Sequence, residues 1–220
     1  MQRKEFLKQG FQLLGFATIA PFIASCNKDS AGSSLACGST TPSETAGPYP
    51  TKNPASLAIK DIRSDRTGTT LTAKITIQSK GAALAGAFVD IWHCDKDGNY
   101  SEYGSLTAAH FLRGRQTTNT EGVAEFLTIY PGWYPGRAPH IHVHVFDSSG
   151  KSLLVTQIAF PTDVSDTVYT TATNFYTKGK QDTSNTKDGI FSDSITCELA
   201  TVTGSVSAGY SLAHTIIVAA

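Results

Sequence analysis

The segment Tyr130-Pro-Gly-Trp-Tyr134-Pro-Gly-Arg137-Ala-Pro-His140-Ile-His142-Val-His144 brings phenol, guanidinium and imidazole groups into one short stretch. Alternate residues of a strand share a face, so His140, His142 and His144 point the same way, with neighbours roughly 6.5–7 Å apart. Two adjacent imidazoles can converge on one ion at metal–nitrogen distances of about 2.1 Å, but a third on the same straight strand cannot easily reach it. The spacing offers one His-x-His pair and leaves open which one.

Imidazole suits copper, zinc and iron alike, so the remaining donors decide the metal. Asp147 is the sole carboxylate just downstream of the histidines. That gives poor support to a His-x-His followed by Glu, or to an iron(II) site of two histidines and one carboxylate. The oxygen donors at hand are tyrosines. Phenolates are hard anionic donors that favour iron(III), and two of them with one hydroxide neutralise its three charges in a buried pocket.

Such groups need a rigid frame. Short runs rich in Val, Ile, Thr and aromatics span residues 69–77, 87–92, 123–129, 140–146 and 153–160, and residues 210–220 read as a last strand. Asp97-Gly98 and Ser148-Ser149-Gly150 are turn signals between them. No long stretch has helical periodicity, and residues 163–180 read as a short helix or a structured loop. The expectation is an all-β chain, a β-sandwich of mostly antiparallel strands with long loops and few short helices. His93, Cys94 and Asp95 point to alternating faces of a strand and read as packing and turn chemistry. Trp92 and Trp133 read as core or pocket wall.

Four motifs in order then carry a family resemblance: Gly98-Asn-Tyr100-Ser, Tyr130-Pro-Gly-Trp-Tyr134-Pro, Arg137-Ala-Pro-His140-Ile-His142 and Thr156-Gln157. With Asp90-Ile-Trp-His-Cys-Asp and Thr45-Ala-Gly-Pro-Tyr49-Pro, they resemble the active-site segments of the intradiol ring-cleavage dioxygenases, closest to the exported branch. The resemblance implies one non-haem Fe(III) per chain, held by Tyr100, Tyr134, His140 and His142, with His144 a non-ligand. It also implies a catechol-type substrate that binds as a dianion, displacing Tyr134, and reacts with O₂ to give a cis,cis-muconate-type diacid. Arg137 matches an arginine that stabilises negative charge developing on the ring, Gln157 a pocket glutamine, and Pro48 and Tyr49 the pocket mouth. Tyr103 lies close to Tyr100, but the Gly-x-Tyr-Ser pattern favours Tyr100. The competing reading is a β-sandwich copper or zinc protein that uses the His-x-His pair without dioxygenase activity.

The chain has 220 residues, 40% of them hydrophobic and 16% charged, with zero formal net charge. It can bury a core, and it lacks the basic excess of a nucleic-acid binder. Residues 1–25 read as a signal peptide: Arg3, Lys4 and Lys8, then an apolar run shorter than a membrane span, then small residues. Ile23-Ala24-Ser25-Cys26 resembles a bacterial lipobox that lipidates Cys26, and Arg3-Lys4-Glu5-Phe6-Leu7-Lys8 resembles a twin-arginine export motif with Lys at its second basic position. Residues 26–44 then form the lipidated cysteine and a flexible tether, and residues 45–220 the dioxygenase-like domain. The expected location is the bacterial cell envelope, periplasmic or at the outer-membrane face, with the lipid as sole membrane contact. Cys37 with Cys197 is the preferred disulfide. The tether is too short for the helical dimerisation segment of cytoplasmic relatives, which leaves a homo-oligomer open.

Overall fold

Alternation of apolar and polar residues decides which side of each strand faces the interior. The computed structural model describes residues 40–219. The expected signal peptide, Cys26 and Cys37 lie outside the described residues.

Strands β1 (Thr70–Ser79), β2 (Ala82–Ala83), β5 (Val123–Ile129), β8 (Thr201–Ser205) and β9 (Gly209–Val218) form one sheet. Strands β3 (Phe88–Trp92), β4 (Arg113–Thr117), β6 (His140–Phe146) and β7 (Ser152–Ala159) form the other, in the order β4-β3-β6-β7. Leu71, Ala73, Ile75 and Ile77 of β1, with Phe126, Leu212 and Ile216, meet Val89, Ile91, Ile141, Val143 and Val145 in the interior. Each of these side chains larger than alanine contributes about 1.5–3 kcal/mol on full burial. Two short helices, α1 (Thr162–Thr171) and α2 (Ile195–Glu198), lie in the long connection from β7 to β8.

The expected sandwich is present, and β5 and β6 have the bounds read from sequence. β4 and β8 were not expected, because Arg-Gly-Arg-Gln-Thr and Thr-Val-Thr-Gly-Ser show no apolar alternation. The ambiguous stretch after residue 162 opens with helix α1. The strands are mostly antiparallel as expected, with one parallel pair: β9 runs alongside β1, Leu71 opposite Tyr210 through Ser79 opposite Val218. A parallel neighbour requires a crossover, and the chain between these strands is long enough to supply one.

The second sheet turns its other face toward the loops. Because β6 buries Ile141, Val143 and Val145 in the core, His140, His142 and His144 must face outward. The register aligns one residue from each strand on that face: Arg113 opposite Trp92, Trp92 opposite His142 and His142 opposite Gln157. The N-terminal segment crosses the same region. Thr41 N–H donates to the Ile217 carbonyl at 2.9 Å, and Glu44 N–H to the Val155 carbonyl at 2.8 Å. Backbone pairing thus holds the chain before Thr45, where a composition of small polar residues suggested only tether. Cys94 is buried and free. Cys197 is disulfide-bonded.

Candidate active site

Rigid strands carry the histidines, and two loops carry the tyrosines. Tyr100 lies in the loop after β3 and is 5% exposed, whereas Tyr134 lies in the loop between β5 and β6 and is half-buried. Glycine brings these loops together. Gly98 adopts φ +89°, and a Cβ there would stand 2.7 Å from the Trp133 carbonyl oxygen and 3.2 Å from Tyr134 Cβ. Only a residue without a side chain allows that approach in that conformation.

The result is a cluster centred on His140. Tyr100 Oη and Tyr134 Oη each lie 3.2 Å from His140 Nε2. His140 Nδ1 donates to the Ala138 carbonyl at 2.7 Å, so Nε2 presents its lone pair to the two phenols. The His142 ring is 4.8 Å from that of His140 and stacks on Trp92 at 5.0 Å with an interplanar angle of 2°. Its Nδ1 is buried without a hydrogen-bond partner among the described residues. Gly47, at φ +66°, passes so close that a Cβ would lie 3.0 Å from His142 Cε1.

Burial dominates the electrostatics. It pushes the His140 imidazole down to about 3 and His142 well below the ordinary value, with Arg137 and the neighbouring imidazole adding to the effect. Both rings are neutral at physiological pH. Burial raises the phenols of Tyr100 and Tyr134, so they ionise only with a compensating cation. Two neutral imidazoles and two crowded phenols fit a hard, highly charged metal ion that would convert the phenols to phenolates. Among the described residues, no three His, Cys, Asp or Glu side chains form a metal-binding group, and the further donors beside His140 are the two tyrosine hydroxyls.

The other expected residues separate clearly. His144 bonds through Nε2 to Ser152 Oγ at 2.8 Å and does not join the cluster. Tyr103 donates to the Pro50 carbonyl at 2.6 Å, away from the histidines. His93 is buried between Thr128 Oγ1 at 2.7 Å and the Cys94 carbonyl at 2.9 Å, a packing role. Tyr49 packs on Tyr100, ring centroids 4.9 Å apart, while Pro48 is exposed beside it. Arg137 donates to Gln157 Oε1 at 2.6 Å, and Gln157 Nε2 donates to the Thr45 carbonyl at 2.9 Å.

Two residues escaped sequence reasoning. Arg113, fully buried, donates to the Ser101 hydroxyl and carbonyl at 2.8 and 2.6 Å and to the Tyr49 carbonyl at 2.7 Å, tying the Tyr100 loop to the N-terminal segment. Asp188, also fully buried, holds Arg137 from far along the chain. Neither has a local motif that would reveal it.

Residues 46–191 match the family model described as dioxygenase. The fold overlays an intradiol ring-cleavage dioxygenase from Tetranychus urticae with a TM-score of 0.74 and 26% identity, covering 83% of this chain and 95% of that one. The chain belongs to the intradiol ring-cleavage dioxygenase family. Within it, the chain is 31% identical over 137 residues to a chlorocatechol 1,2-dioxygenase of Rhodococcus opacus, 53% of this chain and 52% of that protein. It is also 36% identical over 95 residues to a protocatechuate 3,4-dioxygenase beta chain of Burkholderia cepacia, 38% of this chain and 40% of that one. The chain thus spans about half the length, or less, of these curated relatives. The matched span contains all four residues that the intradiol resemblance assigns to iron.

Proposed function

We propose that this chain cleaves a catechol-type diol with O₂ between its two hydroxylated carbons, giving a cis,cis-muconate-type dicarboxylic acid and using one non-haem Fe(III). The observation that carries this reading is the pair of tyrosine hydroxyls converging at 3.2 Å on one fixed imidazole nitrogen, His140 Nε2. Tyr100, Tyr134, His140 and His142 would hold the ion. Bound there, ferric iron would supply the Lewis acidity that holds both diol oxygens and the redox capacity that lets a closed-shell ring react with O₂.

The remaining work falls to the chain. Tyr134 is the more exposed of the two phenols, so its Oη is the group placed to yield to the diol and carry off a proton. Tyr100 is wedged between Tyr49 and the core and stays in place. Arg137 presents a guanidinium that offsets negative charge developing on the ring, a contribution that grows where water is excluded. Gln157 orients that guanidinium, and Gly47 and Tyr49 close the N-terminal segment over the site.

The test is the visible spectrum of iron-quantified protein with and without catechol in the absence of O₂. A tyrosinate-to-iron(III) band that shifts with catechol, followed by the ring-opened diacid on admitting air, is expected. A colourless protein that takes up copper or zinc instead overturns the reading.

We also propose that the domain is exported and lipid-anchored through Cys26, in the cell envelope of a bacterium. The basic start, apolar run and Ile23-Ala24-Ser25-Cys26 sequence support this. Labelled palmitate should enter the wild-type chain in a bacterial host and not the Cys26→Ser variant.

A further inference from the structure

Asp188 sits in the connection between α1 and α2, far in sequence from the cluster, and is fully buried. Its carboxylate is saturated with donors. Oδ2 accepts from Arg137 Nε at 2.8 Å and from Ala138 N–H at 2.7 Å. Oδ1 accepts from Ile190 N–H at 2.8 Å and more distantly from Arg137 Nε at 3.1 Å. With both oxygens committed, the carboxylate cannot rotate, and its position is set by backbone on two separate segments.

This decides the orientation of Arg137. Asp188 takes Nε, Gln157 takes Nη2 at 2.6 Å, and the Phe191 ring lies 5.6 Å from the guanidinium carbon. Two fixed acceptors define the guanidinium plane and leave Nη1 as the nitrogen neither takes. The same carboxylate fixes Ala138, whose carbonyl sets the His140 ring. One buried anion therefore governs both the cationic group and the backbone just before the central imidazole. We infer that Asp188 is a positioning residue for the dioxygenase reaction, acting through Arg137. The inference rests on the dioxygenase reading above.

The alternative is a purely structural ion pair. Buried pairs of this kind are weak evidence of stabilisation by themselves, because desolvation opposes the Coulomb gain. Misplacement of a catalytic group by about 1 Å can cost about 100-fold in rate, so the two roles separate experimentally.

The experiment compares iron-loaded wild type, Asp188→Asn, Arg137→Met and the double variant. Iron content, the tyrosinate band, the anaerobic catechol complex and steady-state kinetics are measured on each. Asp188→Asn should keep iron, band and catechol complex while kcat falls by about 100-fold. In the Arg137→Met background the same change should cause no further loss, since the asparagine oxygen can still accept from Ala138 N–H and the contact with Arg137 is already gone. If Asp188→Asn fails to fold, Asp188→Ser, which leaves room for a water to take the vacated acceptor positions, is read in the same way. Loss of iron and colour in both variants, an unchanged kcat, or a multiplicative loss in the double variant overturns the positioning role. Wild type that binds iron but leaves catechols intact overturns the functional reading, and the positioning role with it; an active wild type beside an unaffected Asp188→Asn overturns the role alone.

Discussion

At the scale of single residues, the site depends on which nitrogen or oxygen each side chain leaves unspent. His140 spends Nδ1 on the Ala138 carbonyl and keeps Nε2 free, whereas His144 spends Nε2 on Ser152. His144→Ala is therefore expected to leave iron content and the tyrosinate band unchanged, while His142→Ala should remove both; metal analysis beside the spectrum checks this. Arg137→Met is expected to lower kcat by about 100–1000-fold with iron retained, as for loss of one charge-stabilising donor. Steady-state kinetics on iron-quantified protein would show it. These roles were partly legible, because histidine and tyrosine announce metal chemistry by type. Asp188 was not. A carboxylate distant in sequence from its arginine carries no local pattern, and only the closing of the α1–α2 connection over the sheet brings them together.

At the scale of elements, β6 shows how a two-residue period does two tasks at once. Its odd-numbered residues are core, and His140 and His142 on the opposite face belong to the candidate site. Ile141→Ala should destabilise by about 2–5 kcal/mol, read by urea unfolding, while the folded fraction keeps its iron band. The loop carrying Tyr100 is constrained differently. Gly98→Val places a branched side chain at φ +89° against the Trp133 carbonyl, so the tyrosinate band should be lost at temperatures where far-ultraviolet circular dichroism still reports folded sheet. β6 was legible to the residue because apolar residues alternate with histidine. β4 was invisible because its buried arginine looks like a surface residue, until Ser101 and the Tyr49 carbonyl supply the partners that permit burial.

At the scale of the whole molecule, the buried carboxylate of Glu198 in α2 couples stability to pH. Burial raises it to about 7, helped by Glu44, Asp193 and Asp188 nearby and opposed by the Ser194 hydroxyl. A raised carboxylate favours the folded state fully below its unfolded value near 4.5, and that contribution is lost as pH rises through about 7. Glu198→Gln should accordingly gain stability over wild type between pH 5 and pH 7, measured as the difference in Tm at each pH. Buried His93 and His214, both held down to about 4 by desolvation, act in the opposite sense in both proteins and cancel in that comparison.

By itself, the sequence determined the chemistry available: three imidazoles at alternate strand positions, tyrosines in place of carboxylates, and alternation enough to demand a sandwich. Residue type and local period are short-range properties, so they survive in one dimension. The tertiary structure alone turned His144 toward Ser152 and carried two loops onto His140. It also decided what holds Arg137, and it set β9 parallel to β1. These depend on contacts between distant segments, whose free energy comes from burial that no local stretch contains.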